Sequence, residues 1–341
     1  KFLTSVVIFH DSKGIESRID VATARLEYYE YPAALPTVEL SSIKMDLFRR
    51  DFTINALAVR LDSTPFGQLV DFFGGQRDIK ERVIRVLHTL SFVEDPTRCL
   101  RAVRFEQRYK FRIGPGAEKL IKNALSLKLM DRLSGARLFN EYQHICDEED
   151  PPACFSRLDE LGILQAIAPQ LGLTPNRRNL LHRLKEMLTW YRLLYFDETA
   201  QAWLVYFLGM LAATALEYVV YFLGLNLNMN YADTSAHYLR LGLPQVKKAE
   251  ILGQREQMRA VRGKLEAWQR QDDMGTAKVS ALCALLRPIA LECLLYIMAS
   301  TDNPGLQKNL SRYITQWRRE RADIGGAELH RLGLAPGPLY G

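Results

Sequence analysis

A change of texture near residue 90 constrains this chain more than any other feature. Before it, LTSVVIF, RIDVAT, INALAVRL, QLVDFF and VIRVLH are short β-branched or apolar runs separated by Gly, Pro and charged turns. Such runs predict a mixed α/β region built on a sheet. From about Asp95 onward, PTRCLRAVRFEQRY, GAEKLIKNALSLKLM, ARLFNEYQHICD, CFSRLDELGILQAI and KAEILGQREQMRAVRGKLEAW return an apolar residue every three or four positions. That period predicts helices. The fold class expected is α+β, a small sheet-containing part followed by a long all-helical part. Breaks are expected at Gly114-Pro115-Gly116, Asp150-Pro151-Pro152, Pro169 to Pro175, Gly242-Leu243-Pro244 and Asp302 to Gly305.

At 341 residues there is room for two or more domains. A formal net charge of +6 points weakly toward a polyanionic partner such as nucleic acid. The five cysteines are scattered and show no C-x-x-C or zinc-ligand spacing, so reduced, mostly buried thiols in a cytoplasmic protein are expected. The opening KFLTSVVIF is too short and β-branched for a signal peptide and reads as a strand entered midway. The run from Ala202 to Leu225 has membrane-spanning length, but Glu217 interrupts it and no basic flank adjoins it. It is expected to form two buried helices, with no membrane partner.

The chemistry concentrates in three stretches. In EDPTRCLRAVRF, Asp95 and Pro96 suit an ordinary helix start. Arg98, Arg101 and Arg104 recur at i, i+3 and i+6, which reads equally as a solvated basic face or as a nucleotide-facing one. On the second reading, Asp95 accepts from a base amino group and Arg98, facing the base and not the core, donates to the adjacent ring nitrogen. Adenine and cytosine satisfy that pair, whereas guanine and uracil leave it mispaired at a cost of about 1–3 kcal/mol. Arg101 and Arg104 would then meet the triphosphate. In LFRRDFTINALAV, Asp51 is either a helix cap before Phe52, Ile54 and Leu57 or a ribose acceptor beside Arg49 and Arg50. Asp20, between Ile19 and Val21, either faces water from a strand edge or serves a metal site.

Together these stretches resemble the class II tRNA nucleotidyltransferases, the bacterial-type CCA-adding enzymes with their A-adding and CC-adding relatives and the related poly(A) polymerases. RRDFTINALAV is similar to their ribose-selecting motif. DFFGGQRDIKERVIRVL, with Asp71, Gly75, Asp78 and Arg85, is similar to the hinge between head and neck, and EDPTR with RAVRF to the amino-acid template for the incoming base. SGARLFNEY resembles the neck motif that steadies that template, with Ala136 where many members carry an acid, and GGAELHRLGLAPGPLY resembles a tail segment of some A-adding members.

The resemblance implies a polymerase-β-like head over residues 1–90, a neck over 91–150, and a helical body over 151–250 and tail over 251–341 that hold tRNA. It implies that Arg49, Arg50, Asn55, Asp95, Arg98, Arg101 and Arg104 contact the nucleotide, that Asp51 sits at its ribose, and that Asp20 is the third acid of a Mg²⁺ site. The family's Gly-Gly loop and D-x-D pair belong upstream of Lys1, so the residues given are expected to be inactive without them. EYYEYPAALPTVELSSIKMDLFRRD reads like the A-adding branch, which uses ATP; full CCA-adding members also use CTP. A poly(A) polymerase acting on other RNA and a non-catalytic RNA-binding relative are the alternatives.

Overall fold

The computed structural model describes residues 4–62, 65–211, 245–320, 330, 331 and 333. Most of the expected second apolar helix, residues 212–225, and nearly all of the tail segment 325–340 lie outside the described residues. The chain divides into two compact units, residues 1–185 with 202–249, and residues 186–201 with 250–341.

The first unit opens with a hairpin of β1 (Thr4–His10) and β2 (Glu16–Ala22), antiparallel, with Val6 opposite Asp20. Its turn is closed by Asp11, whose Oδ1 accepts from the amides of Lys13 and Ile15, with Gly14 at φ 76°. Val6, Ile8, Ile19 and Val21 are about half exposed, because a two-stranded ribbon has no second layer to bury its faces. A second antiparallel pair follows, β3 (Arg25–Tyr28) with β4 (Thr37–Leu40).

Helix α1 (Ile43–Phe48) starts at Ser42, whose side chain accepts from Met45 N. Its buried Asp46 accepts from Arg25 N at 3.2 Å, from Arg49 Nη2 at 2.9 Å and from Arg50 Nη2 at 3.4 Å. Burial opposes ionisation of this carboxyl, but those donors outweigh it and hold the group below the usual carboxylate range. After a 3₁₀ turn at Thr53–Asn55 come the antiparallel β5 (Leu57–Val59) and β6 (Leu69–Asp71), and then α2 (Gly75–Glu81).

The Asp71, Gly75, Asp78 and Arg85 set is one structural device. Asp71 accepts from the amides of Phe73, Gly74, Gly75 and Gln76, the orphan donors at the start of α2. Asp78, fully buried, accepts from Thr53 Oγ1 at 2.6 Å and pairs with Arg85. Gly75 is required because a Cβ there would lie 2.4 Å from the Thr53 carbonyl oxygen. Helix α2 is thereby pressed onto the 3₁₀ turn.

Beyond β7 (Val83–Ile84) and α3 (Ser91–Glu94), the long helix α4 (Thr97–Tyr109) runs through the centre of the unit. Strand β8 (Arg112–Ile113) returns parallel to β7, and α5 (Pro115–Ser126) carries Pro at its first position. Helices α6 (Gly135–Cys146) and α7 (Pro151–Glu160) pack on α4. The first ten residues of the apolar run form α10 (Ala202–Leu211), buried along its whole length. Its Trp203 meets Phe139 edge-on at 5.0 Å, and the Trp203 carbonyl accepts from Tyr142 Oη at 3.1 Å. The intervening helices are α8 (Ile163–Ile167) and α9 (Pro175–Arg192).

From residue 250 on, helix α11 (Gln245–Asp273) belongs to the second unit, where its Gln269 Oε1 accepts from Asn309 Nδ2 at 3.1 Å. The helices Val279–Leu286 and Leu291–Ser300 supply its apolar core, with Leu282, Leu286, Leu294 and Leu295 buried. Among the described residues no single helix is long and apolar enough to cross a membrane. The five cysteines are unpaired, and all but Cys283 are buried.

Two outcomes test this account. Gly75→Ala should lower unfolding stability by about 1–3 kcal/mol, whereas Gly116→Ala, where a Cβ meets nothing within 4 Å, should be neutral or stabilising; urea denaturation compares them. The Asp71 carboxyl is held below the usual range, since its amide donors outweigh burial. Its stabilisation is therefore complete above about pH 4 and lost as pH falls through the lowered value. Asp71→Asn should be less stable at neutral pH and show a weaker loss on acidification.

Candidate nucleotide site

The site grows from the corner that follows α1. Arg49 caps that helix, and the chain then turns sharply into the 3₁₀ turn and β5, so no α-helix follows Asp51 for it to cap. Asp51 is buried and saturated. Its Oδ1 accepts from Phe52 N at 2.8 Å and Asn55 Nδ2 at 2.9 Å; its Oδ2 accepts from Arg101 Nη2 at 2.6 Å and Nε at 2.8 Å. Arg101 also reaches Glu141 Oε1 on α6 at 3.2 Å. Burial works against its charge, but Asp51 and Glu141 outweigh that and raise its pKa.

Asp95 lies between α3 and α4 in extended backbone rather than at the cap of α4; Pro96 takes that place. Its Oδ1 accepts from Thr97 N at 3.0 Å and Thr97 Oγ1 at 2.5 Å, a local Asx-type turn, and pairs with Arg137 of α6 at 2.5 Å. Oδ2 accepts no hydrogen bond from a described residue. Behind it, Glu94 pairs with His88 at 3.4 Å; burial raises the pKa of Glu94 and lowers that of His88.

Arg98 corrects the expectation that its guanidinium stands off the core. The residue is 5% exposed. Nη1 donates to Ser91 Oγ at 2.7 Å and Nη2 to the Arg49 carbonyl at 2.7 Å. These bonds join α3, the corner after α1 and α4, and Arg98 also lines the cavity.

That cavity, about 490 Å³, brings together seven of the nine residues singled out in the sequence: Arg49, Arg50, Asp51, Asn55, Asp95, Arg98 and Arg101. Glu27, Tyr29 and Phe105 complete its lining. The first two were overlooked, although Arg25, Glu27 and Tyr29 recur at the two-residue period that puts alternate side chains on one face of a strand. Glu27 Oε1 accepts from Arg49 Nη1 at 2.8 Å. Four guanidinium groups thus face three carboxylates. Arg50 is the loosest of the four, its side chain 44% exposed and, among the described residues, paired only with Asp46 at 3.4 Å.

Arg104 and Asp20 lie outside the cavity lining. At 100° per residue a position six along is about 120° around the helix from Arg98, so Arg104 turns inward. It is 5% exposed and pairs with Glu141 at 3.2 Å and Glu148 at 3.6 Å. Helix α4 is buried almost all round, not on one stripe, because α3, α6, α7, β7 and β8 enclose it. Asp20 faces water on β2, side chain 62% exposed, paired with Arg18 at 3.1 Å. Among the described residues no three His, Cys, Asp or Glu side chains gather as a metal-ligand set. The acids described here do not fit a Mg²⁺ site by themselves.

Residues 1–85 match the poly A polymerase head domain, and residues 110–173 match the probable RNA and SrmB-binding site of polymerase A. The A-adding tRNA nucleotidyltransferase of Geobacter sulfurreducens is 43% identical over 340 residues, which is 100% of this chain and 36% of that protein. The chain thus spans little more than a third of that relative's length. A CCA-adding enzyme solved in complex with ATP aligns at a TM-score of 0.73 and 31% identity, covering 100% of this chain and 71% of the other. The Thermotoga maritima CCA-adding enzyme complexed with tRNA-CCA aligns at 0.70 and 30% identity, covering 98% and 74%. With these two family matches and similarity along the whole chain, the protein belongs to the class II tRNA nucleotidyltransferase family.

Proposed function

We propose that the cavity reads an incoming nucleoside triphosphate for addition of AMP to the 3′ end of tRNA. The observation that carries this reading is the convergence of Arg50, Asp51 and Asn55 with Asp95 and Arg98 on one cavity, from segments some forty residues apart. A carboxylate oxygen that accepts no hydrogen bond from a described residue, beside a fixed guanidinium, matches an amino donor beside a ring-nitrogen acceptor. Adenine and cytosine present that edge; guanine and uracil would leave a buried charge mispaired. Because Ser91 and the Arg49 carbonyl already hold Arg98, its orientation is set before the base arrives, so little ordering is lost on binding.

Arg50, the least committed cation, is suited to phosphate oxygens. Asp51 has its lone-pair directions filled, so a ribose hydroxyl would replace one donor, Asn55 or Arg101. Arg49 reaches the site through Glu27. Arg104, paired with Glu141 and Glu148, would act by holding α4 rather than by touching phosphate. Phosphoryl transfer in this family uses a divalent cation, for which Mg²⁺ is the expected ion. In the proposed division of labour, base reading lies in the neck, residues 91–150, and tRNA is held by the body and tail.

Incorporation of labelled ATP or CTP by the full-length protein, on tRNA transcripts ending before the CCA or after CC, tests the reading. Labelling by ATP alone, only on the CC-ended transcript, is the expected result. Labelling by both nucleotides would make it a full CCA-adding enzyme, and labelling of unrelated RNA a poly(A) polymerase. No incorporation would leave the non-catalytic RNA-binding relative.

Two substitutions probe the site. Arg98→Ala should abolish preference for ATP over GTP and also lower stability by about 1–3 kcal/mol, since Ser91 and the Arg49 carbonyl lose a buried donor. Retained preference would remove Arg98 from base reading. Asp51→Ala should reduce the ratio of kcat/KM for ATP over dATP by about tenfold or more; an unchanged ratio would place the ribose elsewhere.

A further inference from the structure

A base held by its edge still has two flat apolar faces, and proteins commonly bury one against an aromatic ring. Two aromatic residues line the cavity, Phe105 and Tyr29. Phe105 is already enclosed. The guanidinium carbons of Arg101, Arg104 and Arg108 stand 5.4, 4.9 and 5.8 Å from its ring centre, and Phe52 and Tyr109 pack against it at 5.8 Å.

Tyr29 is placed differently. It follows β3, is half-buried, and no other aromatic ring among the described residues packs on it. Its hydroxyl donates to Glu27 Oε2 at 3.2 Å. Glu27 in turn takes Arg49 Nη1, and the Arg49 carbonyl takes Arg98 Nη2. A short series of bonds therefore fixes the phenol relative to the guanidinium proposed to read the base. Burial pushes the hydroxyl up to about 12, so it stays a neutral donor near pH 7, and the charges of Arg98 and Asp95 both act on it. A half-buried, cavity-lining ring tethered at its polar end, with no other described aromatic ring on it, is preorganised for a planar ligand.

We propose that Tyr29 is a base-contacting specificity residue whose ring forms the wall against which the base held by Asp95 and Arg98 lies. This rests on the nucleotide reading of the cavity. It assigns Tyr29 a part that edge recognition does not supply: affinity for a π-face, larger for a purine than for a pyrimidine.

The test measures dissociation constants of the full-length protein for ATP, CTP and ribose 5-triphosphate, which lacks the base. Tyr29→Ala should weaken ATP about tenfold or more, weaken CTP less, and leave ribose 5-triphosphate unchanged; Tyr29→Phe, which keeps the ring, should stay within about threefold of wild type. If Tyr29→Ala unfolds, Tyr29→Leu keeps apolar bulk without a π-face and should show the same selective loss. Equal losses for ATP and the base-free ligand, or none for either, would overturn the proposal. Arg98→Lys measured alongside separates the two readings. If wild type binds ATP no better than ribose 5-triphosphate, the nucleotide reading itself fails and this inference with it. If Arg98→Lys loses the preference for ATP while Tyr29→Ala keeps it, the Tyr29 assignment alone fails.

Discussion

The doubly hydrogen-bonded pair between Asp51 Oδ2 and Arg101 holds the cavity together. Asp51 is 7% exposed, and a carboxylate so placed is costly unless its lone pairs are filled. Arg101 fills two of them, while Phe52 N and Asn55 fill the others. That requirement fixes where the corner after α1 sits against α4. Since Arg101 also reaches Glu141, the same guanidinium sets α6 against both.

Around that bridge the charges are arranged so that few buried ions lack a partner. Arg104 and Arg108 share Glu148, Glu106 takes Arg157 and the amide of Ile113, and Asp78 takes Thr53 and Arg85. Ion pairs of this kind contribute little net stability against an apolar core of the same volume, but breaking one is costly. Their consequence here is geometric. Most of these pairs link segments far apart in sequence, although Asp78 and Arg85 are only seven residues apart, and Arg98 itself is held from two segments, by Ser91 and by the Arg49 carbonyl.

Several features were legible in the residues alone. The switch from β-branched runs to helical period near residue 90 corresponds to the passage from short strands to α4 and the helices beyond it. The Asp71, Gly75, Asp78 and Arg85 spacing stood out, and its cause became visible as a capped α2 pressed against Thr53. Other features were not legible. Arg104 shares a spacing with Arg98 and Arg101, yet the helix carries it about 120° around, into Glu141 and Glu148. Asp51 read either as a helix cap or as a ribose acceptor, and here the chain turns into β5, so no helix follows for it to cap. Glu27 and Tyr29 carry only a two-residue alternation, and nothing local says what that face meets.

The sequence by itself determined the order of elements, the side-chain chemistry available and the family, because periodicity and motif spacing are properties of neighbours along the chain. Tertiary structure decided which charges neutralise one another and which border the cavity. Arg98, Arg101 and Arg104 are chemically alike, and only the approach of Ser91, Asp51 and Glu141 from other segments gives them different partners. Those partners lie 7 to 50 residues away, so their effect depends on packing that no local pattern encodes.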